Sequence, residues 1–127
     1  LPDSLPGDDA VEAPFIYHHG GYYYLFVSFD YCCRGLKSNY KIAIGRSQNI
    51  KGPYLDKDGK SMMQDGGSIL MEGDHKIYSA VGHCSVYDFS GQTYLFAHGY
   101  EIHDNGMPHL VKRKLNWDTD GWPIVMP

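Results

Sequence analysis

The chain has 127 residues, a net charge of -4 and a pI near 5.9, so it holds one domain at most and lacks the basic face a nucleic-acid partner needs. Eleven Tyr, five Phe and two Trp, with 15 Gly to supply turns, favour pleated sheets over helices and an all-β fold. No apolar run approaches the roughly 18 residues of a membrane span, and the start at Leu1 rather than Met reads as a mature product or a piece of something longer.

Residues 1–11 carry two prolines, a glycine and three aspartates and read as a surface connection arriving from an earlier element. Aromatic-rich strands at 14–18 and 22–29 flank Gly20-Gly21 as a β-hairpin. Residues 30–39, with Asp30, Cys32, Cys33, Arg34 and Gly35, form a polar loop. A third strand is expected at 41–47, where Ile42 and Ile44 share one face. Gly52-Pro53-Tyr54 and Asp56-Lys57-Asp58-Gly59 are turns, the second lacking the later acidic ligands of a calcium loop. Residues 62–81 have a weak pattern and read as a loop-rich crossing with a short strand around 68–71. A second hairpin spans 85–100, a strand follows at 109–117, and Asp118-Thr119-Asp120-Gly121 turns the chain into a last strand at 122–126. Trp117 and Trp122 flank that turn as core or blade-closing residues. Cys32 and Cys33 are adjacent, a spacing that disfavours pairing, and Cys84 makes the count odd, so all three are expected as free thiols.

The two hairpins are copies of each other. Sliding the sequence by 70 residues brings Tyr17 onto Tyr87, Gly21 onto Gly91 and Tyr24-Leu25-Phe26 onto Tyr94-Leu95-Phe96. A repeat built from hairpins predicts blades of a β-propeller, two to three of them here, since a closed ring needs at least about four. The residue before the first strand then reaches the same end of each blade. In one copy the polar residue there is Glu12; in the other it is His83. A carboxyl and an imidazole converging on one channel make a candidate active site. Pro14 stiffens the backbone presenting Glu12, and aromatic surroundings would favour the protonated form that a general acid needs. The plainer alternatives are a solvated loop glutamate and a structural histidine. Arg34 is suited to a sugar hydroxyl or a carboxylate, or else to a surface salt bridge of little value.

At Val11-Glu12-Ala13-Pro14-Phe15-Ile16 and Gly21-Tyr22-Tyr23-Tyr24-Leu25-Phe26-Val27-Ser28 the chain resembles glycoside hydrolase family 43, nearest its endo-1,5-α-L-arabinanases. The likeness continues through Asp30-Tyr31-Cys32-Cys33-Arg34-Gly35, Gly82-His83-Cys84-Ser85-Val86 and Asp120-Gly121-Trp122-Pro123. The resemblance implies a five-bladed propeller that cleaves α-1,5-linked L-arabinan with inversion. It implies Glu12 as general acid and His83 as a contact to an axial metal ion, commonly calcium. Phe29, Cys32, Cys33 and Arg34 would line the substrate cleft. Cys84 stands where related sequences tend to carry asparagine.

An inverting hydrolase also needs a base carboxylate about 6.5–9.5 Å from the acid. In this family the base, and a further aspartate that tunes the acid, precede the Glu-Ala-Pro motif, and Asp3, Asp8 and Asp9 lack the context of either. Residues 1–127 are therefore expected to be the C-terminal portion of one propeller domain. The N-terminal blades, with the base, would come from a companion half or a second chain, or two copies would close on each other. An exo-acting arabinofuranosidase or xylosidase of the same fold is one alternative, and a non-catalytic carbohydrate-binding half-propeller is another. A cell-wall polymer as substrate points to an extracellular or periplasmic location rather than the cytoplasm.

Overall fold

The computed structural model describes residues 10–127; the aspartates considered above at positions 3, 8 and 9 lie outside the described residues, and Val11 already begins the first strand. The described residues build two four-stranded antiparallel sheets. The first contains β1 (Val11–His19), β2 (Tyr22–Phe29), β3 (Lys41–Ser47) and β4 (Ser68–Glu72), paired in that order. The second contains β5 (Tyr78–Phe89), β6 (Gln92–Glu101), β7 (Met107–Trp117) and β8 (Pro123–Val125), again paired in chain order. Each sheet is an up-and-down meander, the form of a propeller blade. Short 3₁₀ turns at Gly35–Lys37 and Ile102–Asp104 sit in the loops that follow β2 and β6.

Strand β2 has the bounds expected of it, but β5 starts at Tyr78, well before residue 85. The reason is burial on both faces: Ala80, Val81 and Gly82 are all buried, so the alternation that announces a half-exposed strand is missing there.

The repeat extends to an irregularity. In β1 the pairing runs from Glu12↔Ser28 to Phe15↔Phe26, and in β5 from Gly82↔His98 to Ser85↔Phe96, so both strands bulge at the same place. Ala13 (φ 54) and His83 (φ 56) are the left-handed residues of the two bulges. Glu12 therefore corresponds to Gly82, and His83 to Ala13. This corrects the expected equivalence by one residue: the two candidates occupy neighbouring positions of one device. A bulge re-aims side chains at a strand end.

The blades share a core. Tyr24, Phe26, Ile42 and Ile44 from the first meet Val81, Val86, Leu95, Ala97, Val111 and Leu115 from the second, with Trp122 and Cys84. At the end remote from the bulges the blades are latched. Tyr17 donates to Asp88 Oδ1 (2.6 Å), and His19 stacks on Trp117 at 3.8 Å between centroids. Arg46 donates to the Asp120 carbonyl (2.7 Å) while lying 4.2 Å from the Tyr22 and Trp122 ring centroids. Tyr24 donates to the Gly121 carbonyl. Both tryptophans thus hold blade to blade, which fixes how the bulged ends meet.

The turn after Gly52-Pro53-Tyr54 is organised by a buried carboxylate. Asp56 is 8% exposed and accepts backbone N–H groups from Asp58, Lys60 and Gly67, each at 2.9 Å. Burial alone would raise its pKa, but those hydrogen bonds and the Lys60 charge outweigh it and hold the carboxyl below its ordinary 3.8. Asp74 accepts from Tyr78, Lys76 and Ile77 and is held at about 2. Both folded values lie below the unfolded one, so the stability they add is present above pH 3.8 and is lost as pH falls toward 2. Asp74 is exposed, so solvent screening keeps its share small and Asp56 carries more. Melting temperature should drop through this window, and Asp56→Asn should lower it at neutral pH while flattening the acid decline. An acid profile unchanged by Asp56→Asn would rule out this role.

Candidate active site

Glu12 projects from β1 just before the bulge and is exposed rather than enclosed by aromatics as expected. What holds it is Tyr40, whose hydroxyl donates to Glu12 Oε1 at 2.5 Å. Tyr40 lies immediately before β3 and is 1% exposed, so the burial falls on the tyrosine rather than on the glutamate. Burial, together with the hydrogen bond to Glu12, raises the Tyr40 pKa above its ordinary 10. The hydroxyl therefore stays protonated as a donor.

His83 reaches the same end of the blade pair. Its backbone N–H donates to Ser28 Oγ at 2.7 Å, and Ser28 is the strand partner of Glu12. The His83 ring stacks on His98, with centroids 5.3 Å apart. Sequence reading missed His98, Ser28 and Tyr40. The available signal for His98 was the repeat itself, since it stands in β6 where Ser28 stands in β2. For Tyr40 no local pattern separates it from the other core aromatics.

Cys32 and Cys33 are joined by a disulfide, which corrects their assignment as free thiols. Their Cα atoms are 3.8 Å apart, the spacing of any trans-linked neighbours and shorter than most disulfides span. Cys33 adopts a positive φ of 68°, which turns the two side chains toward each other. Cys32 packs on the buried cluster of Tyr40, Ala80 and Tyr100, and the Tyr100 hydroxyl lies 3.7 Å from Cys33 Sγ. Arg34 spreads its guanidinium over the Tyr31 ring at 3.9 Å, a cation–π contact. An open cavity of about 700 Å³ follows, lined by Cys33, Gly35, His98, Tyr100, Met107 and Leu110 among others. Its two loops meet backbone to backbone: a Cβ on Gly106 would lie 2.3 Å from the Gly35 carbonyl carbon.

Phe29 does not join this lining. It is 6% exposed and packs with Val27 and Ala43 beneath Gly67, because its side chain alternates to the outer face of the first blade. Cys84 is a core residue, and burial pushes its thiol up to about 12. Asp30 is engaged by Lys41 at 2.5 Å. Among the described residues no group of three or more His, Cys, Asp or Glu is placed to hold a metal. Calcium takes about six to eight oxygen ligands, so a stacked imidazole pair does not constitute such a site. The arrangement gives one exposed carboxyl fixed by a buried phenol, and a mostly apolar cavity at Cys33, His98 and Tyr100 suited to the faces of sugar rings.

The sequence model of glycosyl hydrolases family 43 matches residues 3–123. The chain is similar to an extracellular exo-α-(1→5)-L-arabinofuranosidase of Cellvibrio japonicus, 46% identical over 98% of this chain and 36% of the relative. It is also similar to an extracellular endo-α-(1→5)-L-arabinanase of Bacillus subtilis, 49% identical over 90% of this chain and 34% of that one. Its structure superposes with a TM-score of 0.90 and 47% identity on a Cellvibrio cellulosa α-L-arabinanase complexed with arabinohexaose, covering 98% of this chain and 39% of that one. The chain thus spans about a third of the length of the curated relatives it matches.

Proposed function

The chain belongs to glycosyl hydrolases family 43, and from that premise we propose that it is the acid-bearing portion of a hydrolase that cleaves α-1,5-linked L-arabinan with inversion. The observation that carries the reading is 46–49% identity, over nearly all of this chain, to two enzymes named for action on α-(1→5)-L-arabinosyl linkages. Glu12 protonates the leaving-group oxygen. A water on the opposite face of the sugar is activated by an aspartate from blades outside residues 1–127, contributed by a companion N-terminal portion or second chain. The sugar chain lies along the groove at Cys32, Cys33 and Arg34. An axial metal ion, calcium in the first instance, would take His83 as one contact and draw its remaining ligands from outside the described residues.

Endo action is our primary reading. Exo action is a second, favoured specifically by the Cellvibrio japonicus relative. An extracellular location fits both relatives' names and the oxidised Cys32–Cys33 pair, since disulfides persist in oxidising compartments.

The test is hydrolysis of linear 1,5-arabinan, with product sizes and native mass recorded on the same sample. Early mid-length products from an assembly heavier than one chain would support the full proposal, and arabinose or short oligosaccharides released from chain ends would favour the exo reading. Binding of arabino-oligosaccharides without cleavage, in an assembly with all blades present, would rule out the hydrolase reading.

A further inference from the structure

A buried acceptor and a buried donor, Ser28 and Tyr40, hold the bulged ends of the blades together. The His83 N–H donates to Ser28 Oγ at 2.7 Å. Ser28 is buried beside Tyr40, where it opposes the rise in the tyrosine's pKa, and Tyr40 donates to Glu12 Oε1 at 2.5 Å. Ser28 is 0% and Tyr40 1% exposed, so neither link exchanges readily with solvent. A second bond fixes Tyr40 as well: its carbonyl accepts the Val81 N–H at 3.1 Å. The tyrosine is thus tied to the second blade at its backbone, while its hydroxyl proton points at a side chain of the first.

We infer that Tyr40 is the positioning residue of Glu12: it occupies Oε1 and leaves Oε2 as the oxygen that delivers the proton to the departing sugar. The inference rests on Glu12 as the general acid and adds to that reading which oxygen acts and what aims it. Without the bond, the glutamate side chain rotates freely at an exposed rim, and the fraction correctly directed falls. The loss should appear only where proton delivery matters. A sugar alkoxide is a poor leaving group and needs the proton; an acidic phenol leaves without it.

The experiment compares Tyr40→Phe, Ser28→Ala and Glu12→Gln in the assembled enzyme on two substrates, linear arabinan and an arabino-oligosaccharide with an acidic phenol leaving group. Tyr40→Phe keeps the ring and removes only the hydroxyl. Its kcat on arabinan should fall about tenfold with KM nearly unchanged, while the phenol substrate loses less than about twofold. Ser28→Ala should show the same selective loss at about threefold, and it carries the test if Tyr40→Phe does not fold. Equal losses on both substrates, or none on either, overturn the inference. If Glu12→Gln is inactive on arabinan while Tyr40→Phe is not, the positioning role alone fails. If Glu12→Gln retains arabinan turnover, the acid assignment fails with it.

Discussion

Glu12→Gln in the assembled enzyme should lower kcat on linear arabinan by about 10²- to 10⁴-fold, the range general-acid catalysis supplies. Glutamine has the shape of glutamate and keeps an oxygen for the Tyr40 hydroxyl, so the side chain stays where it is. What it loses is the transferable proton. The cavity lining at Cys33, His98 and Tyr100, the proposed path of the sugar chain, is untouched, so KM should change by less than about threefold. Glu12 is exposed and the substitution leaves no buried charge unpaired, so the melting temperature should stay within about 2 °C of wild type. Loss of activity with preserved melting temperature separates a chemical role from a structural one. Wild-type turnover of arabinan by the variant would remove Glu12 from the mechanism.

Much of this arrangement was legible in the sequence, and the failures have definite causes. Strand β2 was readable from its aromatic residues after a glycine turn and β3 from Ile42 and Ile44 on one face, although both strands are buried on both sides. The repeat brought Glu12 and His83 to one end of the blade pair, but alignment of letters does not register a bulge, and the pairing was off by one residue. The disulfide was missed because the rule against bonded neighbours assumes an ordinary backbone, whereas Cys33 takes a left-handed conformation. Phe29 was assigned to the cleft from its neighbourhood in sequence; strand alternation sends it the other way. Tyr40 could not be found at all from local pattern. Its importance comes from a contact across 28 positions with Glu12, and only the fold brings the two together.

Gly82→Ala should be among the most damaging small substitutions in the second blade, and it reaches the active site through packing alone. A Cβ at this position would lie 2.1 Å from Tyr40 Cδ2, 2.5 Å from Cε2 and 2.6 Å from Cγ, far inside van der Waals contact. Neither partner has room to yield. Gly82 is paired with His98 in the sheet, and the Tyr40 ring is enclosed by Ala80 and Tyr100. Forcing a methyl into such a core costs about 1–3 kcal/mol, and rigidity on both sides puts this case near the upper end. For a unit of this size the melting temperature should fall by about 10 °C. Any relief comes from displacing Tyr40, which also withdraws the hydroxyl from Glu12, so arabinan turnover should drop in whatever protein remains folded. Removing the obstacle provides the check: in a Tyr40→Ala background the added methyl should have little further effect, giving a strong coupling between the two positions. If Gly82→Ala is equally costly with and without the tyrosine ring, the contact is not the cause. The glycine would then matter for its place in the bulge alone.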